Sequence, residues 1–510
     1  MEKMRGNAGR AGKLRRFAVV LLAMTMLGSL LAACSKGSED SGAERSVLRI
    51  GTLYGSPQDE VWFRQQYTDT FEMLNSNIDI EIVSAIDWNN QRFATPEEQQ
   101  KQPDAYEELT KMLNGQNPVD VVVVEYNYLR RLVQDNMLQQ LDPLIQKDEF
   151  DLSDYVPTVL EGIKSAGDNN LYALTPTFSS SAMYYNKKAF TDAGVEFPTD
   201  GLFWEDIFTL AGRVAKGEGE DRMYGLSMNR WSGDGFYEIQ NYSAPLQLKM
   251  YDDKAEKMLV NTPQWEKVWT DIANLYKNKV APNMNEIQQE LYKEGQPYNP
   301  YQGDLFMSGR VAMVVAEYGY MTELQQAKDN ADKIEDFTPI EWDVVTVPQH
   351  AAAPDIGGNV YLSSLMGINA KAQNPDDAWE YVKFLNSKEW AKLKSRSMWE
   401  LTARKEFLKP KDGMSFNIDA FTKLKPVPPQ STDQEQLYRD YPNLWQVQNI
   451  GQPLFQEVMQ GNKSVKDALA EWETQGNAML QQIKENPNGP IGPIGPIDGG
   501  GVPIDIYNAG

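Results

Sequence analysis

The sequence predicts an α/β protein divided into two or more lobes, and three observations carry that expectation. The chain has 510 residues, enough for more than one core at roughly 100–200 residues per domain. Charged residues make up 24% and hydrophobic ones 41%, a balance typical of soluble globular proteins. Strand-like and helical runs alternate through residues 47–136, the pattern of βαβ units in an open sheet.

The elements follow in order. Residues 47–53 read as a short strand, and residues 59–75 as a helix with Val61, Phe63, Tyr67, Phe71 and Leu74 mostly on one side. Residues 78–85 alternate as a strand, 106–113 are helical, and 119–125 form a continuous apolar run of the buried parallel type. Another helix is expected over 128–136. Further along, Thr262-Pro263 opens a helix whose Trp265, Trp269, Ile272 and Tyr276 share a face expected to be core. Asn374-Pro375-Asp376-Asp377 supplies an N-cap, a proline at the first helical position and two acids against the dipole. Asp252-Asp253-Lys254-Ala255-Glu256 lacks calcium-loop spacing and reads as a solvated turn. Three Gly-Pro-Ile triplets in residues 486–510 are too few for a collagen helix and read as a wrap or tail.

Composition excludes several functions. With 72 acidic against 49 basic side chains, the net charge of −23 opposes nucleic-acid binding. The single histidine, His350, is expected at the surface or a hinge, and the single cysteine is Cys34. Together they leave no zinc cluster or internal disulfide, and a Ser-His-Asp arrangement only through His350. No metal site or cofactor is expected.

The first 34 residues carry six basic side chains, an uncharged segment over 17–33, then the cysteine, as in an export signal. Leu31-Ala32-Ala33-Cys34 resembles the lipobox of bacterial lipoproteins. That resemblance implies removal of residues 1–33, acylation of Cys34 and anchoring by acyl chains worth roughly 0.8 kcal/mol per buried methylene. Residues 34–46 then form a flexible tether. The expected location is the extracytoplasmic face of a bacterial cell membrane.

At residue 184 a second resemblance begins. Tyr184-Tyr185-Asn186-Lys187-Lys188-Ala189-Phe190, Ala193-Gly194-Val195 and Pro198 resemble the "YYNK…F…AG…P" block of family 1 extracellular solute-binding proteins of ABC importers. Trp204-Glu205-Asp206, Tyr224-Gly225-Leu226, residues 306–313 (FMSGRVAM), Gly357-Gly358, residues 374–379 (NPDDAW) and Leu401-Thr402-Ala403-Arg404 follow in that family's order. The chain looks most like large Gram-positive oligosaccharide-type members. The resemblance implies a two-lobed, type II-like periplasmic-binding-protein fold with a hinge and a central ligand cleft. It places crossings near 173–178 and 345–358. The N-terminal lobe is then expected to hold residues 47–172 plus 308–346, and the C-terminal lobe 173–307 plus 347–485.

The expected function is a monomeric, non-catalytic receptor that captures an oligosaccharide and passes it to ABC permease subunits. A secreted carbohydrate-active enzyme with paired carboxylates stays open, as does the same receptor for a peptide, polyol or uronide. Sugar recognition pairs aromatic faces with carboxylates, amides and arginine. Trp88, Glu125 and Tyr126 follow strand ends, where open α/β sheets bind ligands. Phe178, Ser179 and Ser180 sit after the first crossing. The resemblance adds Trp231, then Glu317, Tyr318 and Tyr320, with Tyr320 where relatives carry Trp. Asn359, Tyr361, Arg404 and Trp399 complete the candidates. Arg230 and Arg404 in the cleft would favour an acidic sugar.

Overall fold

A computed structural model describes residues 45–487, except 96–102, 232–234, 292–298, 336, 359, 411–412, 430–435 and 439. Cys34, the basic segment before it, the Gly-Pro-Ile triplets and Asn359 therefore lie outside the described residues.

Two sheets organise the chain. The first contains β1 (Ser46–Gly55), β2 (Ile78–Asp87), β3 (Val121–Val124), β4 (Ala173–Leu174) and β10 (Leu365–Ile368), in the order β2-β1-β3-β10-β4. β1 runs parallel to β2 and β3, whereas β10 is antiparallel to β3 and β4. Parallel pairing requires crossover connections, and helices supply them. The first crossover is helical over Pro57–Phe63, widens through a π-helical segment at Arg64–Thr68, and resumes over Asp69–Leu74. The second includes the helix Ala105–Asn114. β3 is buried at nearly every position, as a central strand covered on both faces must be. Its neighbour Asp120 is fully buried and accepts from the backbone N–H groups of Arg49, Gln373 and Asn374. This one carboxylate ties the start of β3 to β1 and to the later helix Pro375–Leu385.

The second sheet is built on one long strand, β5 (Thr177–Asn186). Its far end pairs with β6 (Met313–Glu317) and β7 (Trp342–Val345), both antiparallel. Its near end pairs with β11 (Leu401–Thr402) and then β9 (Val360–Tyr361). β8 (Ile356–Gly357) pairs with β12 (Lys425–Pro426). Tyr184, with no exposed surface, is ringed by Tyr320, Trp342, Phe421 and Phe306 at centroid distances of 5.3, 5.4, 6.2 and 6.4 Å. Helices Pro263–Lys277, Trp445–Met459 and Val465–Glu485 form a further layer around Trp269, Phe455 and Trp472. The burial of Trp265 and Trp269 agrees with their apolar stripe.

The chain passes between the sheets at three places. It leaves the first sheet at Leu174 and enters β5 at Thr177, and the Thr175 hydroxyl lies 2.6 Å from the Thr177 carbonyl oxygen and 2.8 Å from that of Ser363. Residues 346–364 return from β7 to β10. Leu401–Thr402 begins the third passage. The first four residues of β5 are hydrogen-bonded to the other two passages, so the connections form a small ladder of their own.

Strand pairing corrects the expected lobe membership. Residues 308–346 are expected with the first sheet, but β6 and β7 both pair with β5. Conversely, β10 belongs to the first sheet, and the helices after it pack there as well. Tyr381 and Phe384 meet Phe71 at 5.2 and 5.6 Å, and Trp390 stacks on Tyr67 at 6.3 Å. Local periodicity identifies a strand without naming its partner, which is why these two stretches exchange places.

Thr262 caps the helix Pro263–Lys277 by accepting from the Trp265 N–H. Thr262→Ala is expected to cost about 1 kcal/mol of stability, read from the urea unfolding midpoint. His350 is buried rather than at the surface, 5% exposed, with Nε2 2.6 Å from the Tyr242 carbonyl oxygen and its ring against Tyr242 and Trp204. Burial lowers its pKa below the ordinary histidine value, so the folded state holds it neutral. Its stabilising contribution is complete above the unfolded pKa of about 6.5 and is lost as pH falls through that value toward the lower folded one. Urea midpoints for the wild type and His350→Asn should therefore converge between pH 8 and pH 5.5.

Candidate functional site

The three parallel strands of the first sheet each deliver a polar or aromatic side chain at their carboxyl ends. β1 ends in Tyr54-Gly55, β2 in Asp87 followed by Trp88, and β3 in Val124 followed by Glu125. Tyr54 pairs with Ile86 across the ladder, and Trp88 follows two residues later, just past the end of β2. The two rings stack with centroids 4.8 Å apart and planes 13° from parallel. Both keep an open face, at 43% and 47% exposure. The Asp87 carboxylate accepts from the Asn89 N–H and starts the short helix Trp88–Arg92, so Trp88 stands on a helical turn rather than in a loop. Gly55 permits the close approach of these strand ends. A Cβ there would come within 2.1 Å of the Ser84 hydroxyl oxygen.

The passages between the sheets form the adjoining surface. The Tyr126 N–H donates to the Leu362 carbonyl, bringing exposed Glu125 to the second passage. Tyr361 is paired with Ser179 and is 58% exposed. On the other side of β5, Ser181 pairs with Glu317, whose carboxylate also faces solvent. The next turn contains Gly319, where a Cβ would meet the Trp399 ring at 2.8 Å. Trp399 therefore lies over that backbone and leaves its other surface open, 67% exposed.

The second-sheet side is organised by Arg230. Its side chain is 7% exposed and is held by Asp304 at 3.1 Å, Glu323 at 2.6 Å and Glu317 at 3.3 Å. Its guanidinium sits 3.9 Å from the Tyr320 ring centroid and 5.0 Å from that of Trp231. Tyr320 donates its hydroxyl to Asp304, which also accepts from the Phe306 and Met307 N–H groups. Burial opposes the charge on Arg230, but Glu323 and Asp304 outweigh it and hold the pKa above the ordinary arginine value. Trp231 caps this assembly at 65% exposure.

Five expected site residues do not offer a surface to a ligand. Phe178 is 1% exposed, in β5 opposite Leu401. Tyr126 is buried, its hydroxyl bonded to the Gly162 carbonyl and the Ser165 hydroxyl. Tyr318 is buried against Phe421, and Tyr320 is the buried platform under Arg230. Arg404, 2% exposed, donates to the Asn386 and Asp151 carbonyls between the rings of Phe150 and Tyr155. In each case the residue type suits a ligand, but an internal partner already occupies it. Ser180 is likewise buried, while Ser179 is partly accessible. Two accessible aromatics were missed. Tyr54 was legible from the strand-end position that singled out Trp88, whereas Tyr237, 57% exposed, had no such signal.

The profile of the bacterial extracellular solute-binding protein family matches residues 57–392. The chain belongs to this family. Among named relatives, a binding protein from Brucella abortus is 24% identical over 322 residues, covering 63% of this chain and 71% of that one. The sn-glycerol-3-phosphate-binding periplasmic protein UgpB of Pectobacterium atrosepticum is 24% identical over 355 residues, covering 66% and 72%. Among solved structures, the family 1 solute-binding protein of Alicyclobacillus acidocaldarius superposes with a TM-score of 0.56 at 18% identity, covering 85% of this chain and 98% of that one. An open sugar transporter component from Rhizobium etli gives 0.55 at 18% identity, with 85% and 99% covered. The sugar-binding protein MalE of Xanthomonas citri gives 0.54 at 16%, with 86% and 98%. The two sheets are thus the two lobes of a periplasmic-binding-protein fold, joined by the three passages. Among the described residues no helix is long and apolar enough to cross a membrane.

Proposed function

We propose that this chain is the receptor of an ABC importer, that it captures a carbohydrate of oligosaccharide length between its lobes, and that it hands the sugar intact to the permease. One observation carries the reading. Tyr54 and Trp88 present stacked, accessible faces at the strand ends of the first lobe, while Trp231, Tyr361 and Trp399 present accessible faces around β5 and Glu317; we read them, with Glu125, as one ligand surface. Stacked rings pack on the C–H faces of pyranoses while carboxylates accept from hydroxyls, and closure removes both from water. Several platforms suit several sugar units. The mechanism is a population shift: ligand contacting both lobes favours the closed state by its extra affinity for that state.

We assign the first lobe residues 47–174 plus about 365–394, and the second lobe the described remainder outside the passages. Cys34 is the proposed lipid attachment point, which keeps the receptor at the outer face of the membrane. A thermal-shift screen of the protein against plant-polysaccharide oligosaccharides of defined length, followed by chromatography of the recovered sugar, tests the proposal. A raised melting temperature with unchanged sugar supports it. Release of new reducing ends favours the paired-carboxylate enzyme and overturns it.

A further inference from the structure

The ring of Tyr67 sits where the first lobe meets the passages. The helix after β1 widens there into the π-helical turn Arg64–Thr68, an irregularity that recurs at functional sites. Trp390 stacks on the ring, Phe63 lies at 5.1 Å and Trp62 stands edge-on at 6.2 Å, so the ring is held within the first lobe. Its hydroxyl lies 3.1 Å from the Ser364 hydroxyl, at the end of the second passage. Ser364 has a φ of 56°, a left-handed backbone that is costly for a residue other than glycine and persists only under constraint. The carbonyl before it, that of Ser363, accepts from the Thr175 hydroxyl in the first passage. Burial and Glu400, next to the third passage, raise the Tyr67 pKa, while the hydroxyls of Ser364 and Thr177 oppose the rise. One phenol is therefore coupled to all three passages. Thr177 is 1% exposed, and its hydroxyl has no hydrogen-bond partner among the described residues, a costly condition for a buried polar group.

We infer that Tyr67 is the positioning residue of the hinge: its hydroxyl holds Ser364 in the arrangement seen here and passes to Thr177 when the lobes rotate. This rests on the receptor reading above. The ring stays fixed to the first lobe and only the partner of its hydroxyl changes. Ser364 is partly accessible, so water replaces Tyr67 there, whereas water does not reach Thr177. Each arrangement then keeps the phenol bonded, and the two bonds together set the balance between open and closed lobes.

Pulsed electron–electron resonance on the full chain tests this without a ligand. Spin labels go on Met73→Cys and Lys254→Cys, exposed positions of the first and second lobes, in a Cys34→Ser background. Ser364→Ala removes the bond of the present arrangement, and Thr177→Val removes the alternative one. The two variants should move the mean lobe separation in opposite directions, each through a several-fold change in the ratio of the two arrangements. In a Tyr67→Phe background, which keeps the ring, neither substitution should have a further effect. A general loss of stability does not produce opposite shifts, and urea midpoints measured alongside report that loss separately. Shifts in the same direction, or none, overturn the inference. The same labels, with malto-, cello- and xylo-oligosaccharides of two to six units, test the receptor reading on its own. A separation that responds to a sugar but to neither variant overturns the role of Tyr67 alone; one that responds to the variants but to no sugar counts against the receptor reading alone.

Discussion

Replacing Trp231 with alanine is expected to weaken carbohydrate binding by about two orders of magnitude while leaving the unfolding midpoint nearly unchanged. The two halves of that expectation have separate causes. The indole is 65% exposed, so little apolar burial is lost from the folded protein when it is removed. Its inner face rests on Arg230, itself fixed by three carboxylates and the Tyr320 ring, so the outer face is presented rigidly. Rigid aromatic anchors in closing sites behave as hot spots worth about 2 kcal/mol or more, since no side-chain freedom remains to be lost on binding. Titration of intrinsic fluorescence and calorimetry read the affinity, and urea unfolding reads the stability. Loss of stability with unchanged affinity would move Trp231 from the site to the scaffold.

The opposite split is expected at Arg404. Arg404→Met should lower stability by about 3 kcal/mol or more, read from urea unfolding, with the sugar dissociation constant changed by less than about threefold for the fraction that folds. The guanidinium is 2% exposed and satisfies the Asn386 and Asp151 carbonyls at 2.6–2.9 Å. Hydrogen bonds to charged groups contribute about 1.5–3 kcal/mol, and an acceptor left buried without a partner adds its own desolvation cost. Asn386 is itself bonded through its side chain to Tyr155, whose hydroxyl also reaches the Thr175 carbonyl at the first passage. Removing Arg404 thus loosens a chain of polar contacts that begins at the first passage. Burial lowers the pKa of Arg404, but an arginine starts far above neutrality and its charge persists. No pH dependence near neutrality is expected from this site.

These two arginines show what the sequence made legible and what it did not. Strand–helix alternation placed β1, β2 and β3 within a few residues of their observed ends, because each has a continuous or alternating apolar pattern. Trp88 and Glu125 are accessible at the strand ends, and so is Tyr54, which occupies the corresponding position on β1. Burial was the missing quantity. Tyr126, Tyr318, Tyr320 and Arg404 each have a chemistry suited to sugars, but Gly162, Phe421, Asp304 and Asn386 reach them from distant parts of the chain. Sequence separations of 16 to 103 residues between such partners carry no local periodicity. The exchange of residues 308–346 with the β10 region between lobes has the same origin, since partners in a sheet are chosen by global packing.

The proposed receptor works by closing its two lobes on a carbohydrate around the three hydrogen-bonded passages. Small-angle X-ray scattering of the purified protein, with and without a saturating oligosaccharide that raises its melting temperature, tests this directly. The radius of gyration should fall on binding and return when the sugar is dialysed away chemically unaltered. A radius unchanged at saturation contradicts the closing clamp.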